Sequence, residues 1–108
     1  MFPGGYSQGL KYTLRSTKEY DRWLAGLKDS TVRIRVLARL SRVENGNFGD
    51  FKQIGDNLFE LRFFFGSGIR IYYTIRDGTV VFLLAGGGKS TQAKDIDKVS
   101  LLLNELED

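Results

Sequence analysis

Apolar side chains recur along this chain with two different spacings, and the spacing changes near residue 58. Residues 11–15 alternate, with Tyr12 and Leu14 on one side, which predicts a short first strand. Tyr20, Trp23, Leu24 and Leu27 then fall at i, i+3, i+4 and i+7, the single apolar stripe of an amphipathic helix. Ser16, with Glu19 three residues on, offers a capping box to start that helix. Asp29 and Ser30 break the pattern and cap a second helix over residues 31–44, closed by Asn45-Gly46, with Val32, Val36, Leu40 and Val43 on its inner side. Two helices joined this closely make a hairpin.

From Leu58 the period is two, and three strands are predicted at 58–65, 69–76 and 79–85. Gly66-Ser67-Gly68 joins the first pair, and Asp77-Gly78, a favoured two-residue hairpin turn, joins the second, so this part of the sheet is antiparallel. Gly86-Gly87-Gly88 reads as a flexible turn, after which Ile96, Val99, Leu103 and Leu106 keep helical spacing in a final helix. The order β-α-α-β-β-β-α predicts an α+β fold in which a helical hairpin packs on a small, mainly antiparallel sheet. One domain over residues 11–108 accounts for all of these elements, and residues 1–10, with three glycines and a proline, read as a flexible N-terminal segment.

Composition removes several kinds of chemistry. The 108 residues include no cysteine and no histidine, so a disulfide framework and the usual zinc or transition-metal ligands are lacking, and neither metal nor cofactor is expected. Proton transfer falls to Glu, Asp, Tyr, Lys or Arg, without the side chain best suited to it near neutral pH. The start of the chain shows no basic segment followed by a signal-length apolar run, and the longest apolar run, residues 80–85, is far too short to span a membrane. A cytoplasmic protein without membrane association is the expectation.

The net charge of +3 hides an asymmetry. Residues 11–42 carry nine basic and three acidic side chains, while residues 43–108 carry seven basic and ten acidic ones. The cationic part either draws in a phosphate backbone or is a solvated helix face. Arg35, Arg39 and Arg42 recur at i, i+4 and i+7 on one stripe of the second helix, where their mutual repulsion suits an anion opposite, RNA phosphate or an acidic partner.

Strand alternation sorts the polar residues of the meander. Glu60 and Arg62 share a side of one strand, and Arg70 and Tyr72 share a side of the next. If those sides coincide across the hairpin, the four form one cluster beside Lys89. Two guanidinium groups and an ammonium suit a phosphate, whose oxygens arginine binds in pairs, and a glutamate or tyrosine beside them is placed to move a proton. The alternative is charge pairing between neighbouring strands on a solvated face. The run Gly86 to Thr91 fails as a nucleotide-binding P-loop, since the first glycine of that motif falls on Leu83 in mid-strand. It leaves Lys89, Ser90 and Thr91 at the mouth of the sheet, near the free amides of the next helix. Of the aromatic residues, most belong to a core, but residues 63–65, three phenylalanines in succession, necessarily present both faces and leave at least one exposed or covered by a partner.

Residues 58–98, LFELRFFFGSGIRIYYTIRDGTVVFLLAGGGKSTQAKDIDK, resemble the HigB-like toxins, or addiction-module killer proteins, of the RelE/ParE superfamily. The resemblance is carried by an E-L-R strand, an R-[IV]-Y-[YF] strand and a G-G-x-K-S-[TS]-Q-x-x-D-I segment, and extends more loosely over the helical hairpin. It implies a RelE-type fold and a type II toxin that cleaves messenger RNA in the ribosomal A site, with no metal. Carried over by residue, Arg62, Arg70 and Lys89 would cradle the scissile phosphate, and Glu60 and Tyr72 or Tyr73 would serve proton transfer or base stacking. Arg35, Arg39, Arg42, Ser90 and Thr91 would contribute RNA contacts. The partners implied are the ribosome, its message and a cognate antitoxin, expected to be a helix-turn-helix protein of HigA type. The same superfamily also implies two alternatives, a ParE-like inhibitor of DNA gyrase without nuclease activity and a non-catalytic module that binds RNA or antitoxin.

Overall fold

A computed structural model describes residues 11–66 and 68–107, so the glycine-rich start at residues 1–10 lies outside the described residues. The elements in chain order are β1 (Thr13–Ser16), α1 (Lys18–Ala25), α2 (Ser30–Glu44), β2 (Phe51–Gly55), β3 (Leu58–Arg62), β4 (Arg70–Arg76), β5 (Val80–Gly87), a 3₁₀ turn (Lys89–Thr91) and α3 (Gln92–Glu107). The strands form one sheet in the order β1-β5-β4-β3-β2, antiparallel throughout except that β1 runs parallel to β5.

This is the α+β arrangement the patterning predicts, with one more strand than expected. β2 lies at the sheet edge, and four of its five residues are exposed, so it lacks the alternation that marks a half-buried strand. It joins β3 through Asp56-Asn57, where Asn57 takes a positive φ of 54°. The Asn57 carbonyl accepts from Thr74 Oγ1 at 2.6 Å and its side chain donates to the Ile75 carbonyl, tying the turn to β4. The Asp77-Gly78 turn is as predicted, with positive φ at both residues.

The helices cover both faces of the sheet. Tyr20 of α1 and Val36, Leu40 and Val43 of α2 pack on Leu61, Ile71, Tyr73, Val81 and Leu83. On the other face Val99 and Leu103 of α3 pack on Leu58, Tyr72, Leu84 and Ala85. Asp29 caps α2 as expected, accepting from the Thr31 amide. The cap of α1 is Thr17 rather than Ser16. Thr17 Oγ1 accepts from the Tyr20 amide and donates to the Leu84 carbonyl at 2.6 Å, whereas Ser16 ends β1 and donates to Asp21. Thr17 thereby serves two unpaired groups at once, one of them on the neighbouring strand. Leu27 lies beyond the helix, which ends at Ala25.

That second group exists because β5 is irregular. Tyr72 pairs with Ala85 and Tyr73 with Leu83, so Leu84 is an extra residue, and the alternation of the strand shifts there. After the shift Gly86 faces α1 and Gly87 faces α3. A Cβ on Gly86 would sit 2.2 Å from the Trp23 ring, and one on Gly87 would sit 2.0 Å from Asp95 Oδ2. Gly86 and Gly87 therefore belong to the strand and are small because helices press on both sides of it. This corrects the reading of the triple glycine as a flexible turn, of which only Gly88 lies outside the strand.

Candidate functional site

The β3–β4 register sets Glu60 opposite Tyr72 and Arg62 opposite Arg70, so the four backbone positions do share the α3 side of the sheet. Their side chains then part. Arg62 makes a two-point contact with Asp50, Nε to Oδ2 and Nη2 to Oδ1, both 3.2 Å. That hydrogen bond and the Asp50 charge hold the Arg62 guanidinium above the ordinary arginine range. Arg70 turns the other way, its Nη1 standing 3.8 Å from Glu60 Oε2. Glu60 is only 1% exposed and accepts a 3.0 Å hydrogen bond from Gln92 Nε2 of α3. It is a buried partner beneath Arg70 rather than a free carboxylate at the surface.

Tyr72 lies deeper still, fully buried, with a hydroxyl that has no hydrogen-bond partner. Burial first, then the Asp95 and Glu60 charges, push its phenol well above the ordinary value. A neutral, enclosed tyrosine is neither a surface on which a base can stack nor a ready proton acceptor, which corrects its expected role. Tyr73 is corrected for a different reason. Successive residues of a strand face opposite ways, and Tyr73 packs in the α1/α2 core between Phe59 and Phe48, with ring centroids 5.3 and 5.8 Å away.

Lys89 is exposed and shares a cavity of about 430 Å³ with Arg70, Phe63, Phe64, Gly66 and Gly68. Gly68, with φ of +76°, brings the β3–β4 loop against the lysine stem, since a Cβ there would stand 3.2 Å from Lys89 Cβ. Arg62 opens instead into a second cavity of about 330 Å³, lined also by Arg35, Arg42 and Asp50. Phe63 and Phe64 border both. The three basic groups expected around one phosphate are thus divided between two adjoining cavities, Arg70 and Lys89 in one and Arg62 in the other.

The arginine stripe of α2 divides as well. Arg35 and Arg42 are exposed, but Arg39 is 8% exposed and clamps backbone, a correction to its reading as an RNA contact. Its Nε donates to the Phe48 carbonyl, Nη1 to that of Arg62 and Nη2 to that of Asp50, at 2.9, 3.0 and 2.7 Å. The guanidinium also lies 4.7 Å from the centre of the Phe63 ring. Burial, then the nearby Arg42 charge, lower its pKa from the ordinary value. Gly49, at φ +70°, lets the chain pass over it, since a Cβ would meet Arg39 Nε at 2.8 Å.

At the start of α3, Ser90 is exposed, while the Thr91 hydroxyl donates to Asp95 Oδ2 at 2.6 Å. Gln92 and Asp95 were not among the sequence candidates. Their signal lay inside the G-G-x-K-S-T-Q-x-x-D-I segment itself, since residues three apart on a helix share a side, here the one facing Glu60 and Gly87. Among the described residues no helix is long and apolar enough to cross a membrane, and no three His, Cys, Asp or Glu side chains gather as a metal site.

Three solved structures share this fold. The RelBE2 toxin–antitoxin complex of Mycobacterium tuberculosis aligns with a TM-score of 0.61 and 21% identity over 76% of this chain and 95% of that one. A free-state arginine-to-alanine variant of the Escherichia coli toxin RelE gives 0.63 and 20% over 85% and 96%. The intact E. coli RelBE toxin–antitoxin complex gives 0.56 and 25% over 71% and 95%. The chain therefore carries the fold of the RelE toxins. An uncharacterized protein of Haemophilus influenzae is 44% identical over 93 residues, 86% of this chain and 94% of that protein. Residues 22–106 match the profile of the phage-derived Gp49-like proteins, and the chain belongs to that family.

Proposed function

We propose that this protein is the toxin of a type II toxin–antitoxin pair, of HigB-like kind, and that it inhibits translation by cleaving messenger RNA on the ribosome. The observation that carries the reading is the cavity between the β3–β4 loop and the start of α3, where Arg70 and Lys89 present two positive charges with no carboxylate among the described residues of the lining. The support from kinship is the RelE fold, found in solved toxin–antitoxin complexes.

The reaction is attack of a ribose 2′-oxygen on the adjacent phosphorus. The bond to the 5′-oxygen of the next nucleotide breaks, leaving a 2′,3′-cyclic phosphate and a 5′-hydroxyl. The 2′-hydroxyl loses a proton and the departing 5′-oxygen gains one. Negative charge builds on the phosphoryl oxygens, and fixed cations aimed at that position lower the barrier. Arg70 supplies such a charge, paired with Glu60, which in turn accepts from Gln92. Lys89 supplies a second on a flexible stem, and is the exposed titratable side chain of this cavity. The ribosome orients the message, and an antitoxin, in HigB-like pairs a helix-turn-helix protein of HigA type, keeps the toxin inactive.

Induction in bacterial cells, with transcript 5′ ends mapped and plasmid supercoiling measured in parallel, tests this. Cuts inside translated codons that disappear when translation is blocked are the expected result. Intact messages with relaxed or broken DNA would replace the reading with gyrase inhibition, and neither effect would leave a binding module.

A further inference from the structure

We propose that Phe64 is a stacking platform for an unpaired RNA base, with the phosphates flanking that base held in the two basic cavities on either side of it. The inference rests on the RNA-directed reading above and adds to it the residue that grips the base.

Residues 63–65 are three phenylalanines that the structure uses in three ways. Phe63 is buried, with Arg39 over its ring. Phe65 is half-buried, meets Phe63 edge-on at 5.7 Å between centroids, and has the Arg35 guanidinium 4.9 Å from its ring centre. Phe64 takes part in neither arrangement. It is 81% exposed, more than any other large apolar side chain among the described residues, and none of them stacks on it. Packing with neighbours does not account for a phenylalanine in that position.

Its surroundings identify the occupant. Phe64 borders both cavities. On one side stand Arg35, Arg42 and Arg62 with Asp50, and on the other Arg70 and Lys89. An apolar patch on a protein partner seated on this ring would cover those cations without neutralising them, at a cost in desolvation. A single strand of RNA carries a flat apolar base between two phosphates, which matches an exposed ring between two clusters of positive charge. A duplex, whose bases are already stacked, does not. Arg62, now paired with Asp50, would exchange that carboxylate for a phosphate when the strand arrives.

The test uses the full chain and a fluorescent single-stranded oligoribonucleotide with 2′-O-methyl sugars, which cannot be cleaved, beside a duplex of the same sequence. Base stacking on aromatic side chains predicts that Phe64→Ala and Phe64→Leu each weaken single-strand binding roughly 10- to 100-fold, that Phe64→Trp keeps it, and that the urea midpoint does not move. Phe64→Leu binding as tightly as the unaltered protein would overturn the platform, since an apolar contact without a π face would then suffice. So would equal losses on strand and duplex, or no binding by the unaltered chain at low salt. Loss of antitoxin binding by Phe64→Ala with single-strand affinity intact would assign the ring to a protein interface and overturn the platform too. Phe64-dependent binding without cuts in cellular messages would keep the platform and refute the nuclease, whereas cuts that persist unchanged in Phe64→Ala would do the reverse.

Discussion

Glu60 and Arg70 are diagonal neighbours on adjacent strands with 3.8 Å between carboxylate and guanidinium, the one side chain 1% exposed and the other 13%. Removing either partner leaves a charge in a place with little water. Breaking such a pair costs about 3–5 kcal/mol, so both Glu60→Ala and Arg70→Ala should lower the urea midpoint markedly. Inactivity of Arg70→Ala alone is therefore a poor guide to its chemistry. Arg70→Lys keeps a positive charge beside Glu60 but loses the planar fork that grips two phosphate oxygens. It should stay within about 1 kcal/mol of the parent in stability if the ammonium still pairs with Glu60, while growth inhibition on induction falls at least several-fold. Full toxicity in a stable Arg70→Lys protein would remove two-point phosphate binding from the site.

α2 was legible in the sequence because it has one buried and one exposed side, so its apolar residues recur at helical spacing. The β4–β5 hairpin, buried on both faces, was legible from its β-branched and aromatic runs and the Asp77-Gly78 turn between them. β2 was not legible because an edge strand with four exposed residues carries no apolar alternation. The roles of Gly86 and Gly87 were hidden because they depend on Trp23 and Asp95 arriving from different helices. The candidate site was legible to the level of the face. Alternation and register brought Glu60, Arg62, Arg70 and Tyr72 together, but alternation says nothing of depth, and depth separates buried Glu60 and Tyr72 from Arg62 and Lys89. Arg39 shows the same limit along a helix. One stripe of three arginines has its middle member turned inward, where its guanidinium donates to the carbonyls of Phe48, Asp50 and Arg62.

Arg39 should behave as a structural residue and Arg35 as a surface one. Arg39→Ala removes three part-buried hydrogen bonds and takes the guanidinium donor from the Phe48 and Arg62 carbonyls, while the Asp50 carbonyl keeps the Arg62 amide, which predicts a loss of roughly 2–4 kcal/mol. Arg39→Lys should recover little of it, because one ammonium cannot meet three carbonyls in the plane of a guanidinium. Arg35→Ala, at an exposed position, should change the urea midpoint by no more than about 0.5 kcal/mol equivalent while weakening RNA binding. Equal stabilities for Arg39→Ala and the parent would refute the clamp.

Gly86 presses on Trp23, the only tryptophan of the chain, so a substitution there has its own optical signal. Gly86→Ala places a methyl group where the indole now lies, and the ring must move or the strand must part from α1. Overpacking of this kind costs typically about 1–3 kcal/mol. The variant should show a red-shifted, more accessible tryptophan emission together with a lower melting temperature. Trp23→Phe in the same chain should restore part of the lost stability by freeing space. An unshifted emission spectrum in Gly86→Ala would contradict the close contact.

Three buried phenols set the alkaline limit of the fold. Tyr20, Tyr72 and Tyr73 are each under 4% exposed. Burial, reinforced by Asp21, pushes the Tyr20 phenol up to about 12, and burial likewise raises Tyr72 and Tyr73. In the unfolded chain all three titrate near the ordinary value of about 10. Because the folded form holds these protons to higher pH, their contribution is fully present below pH 10. It is lost progressively as the pH rises through 10 towards 12 and above, where the unfolded chain is favoured by giving up protons first. Phenolate absorbance from these three side chains should therefore rise late, together with the loss of far-ultraviolet circular dichroism. Replacing Tyr20 by Phe removes one such group, and its unpartnered hydroxyl as well, so Tyr20→Phe should hold its fold to higher pH than the parent. A single smooth titration near 10 with the circular dichroism unchanged would show that these phenols are not buried.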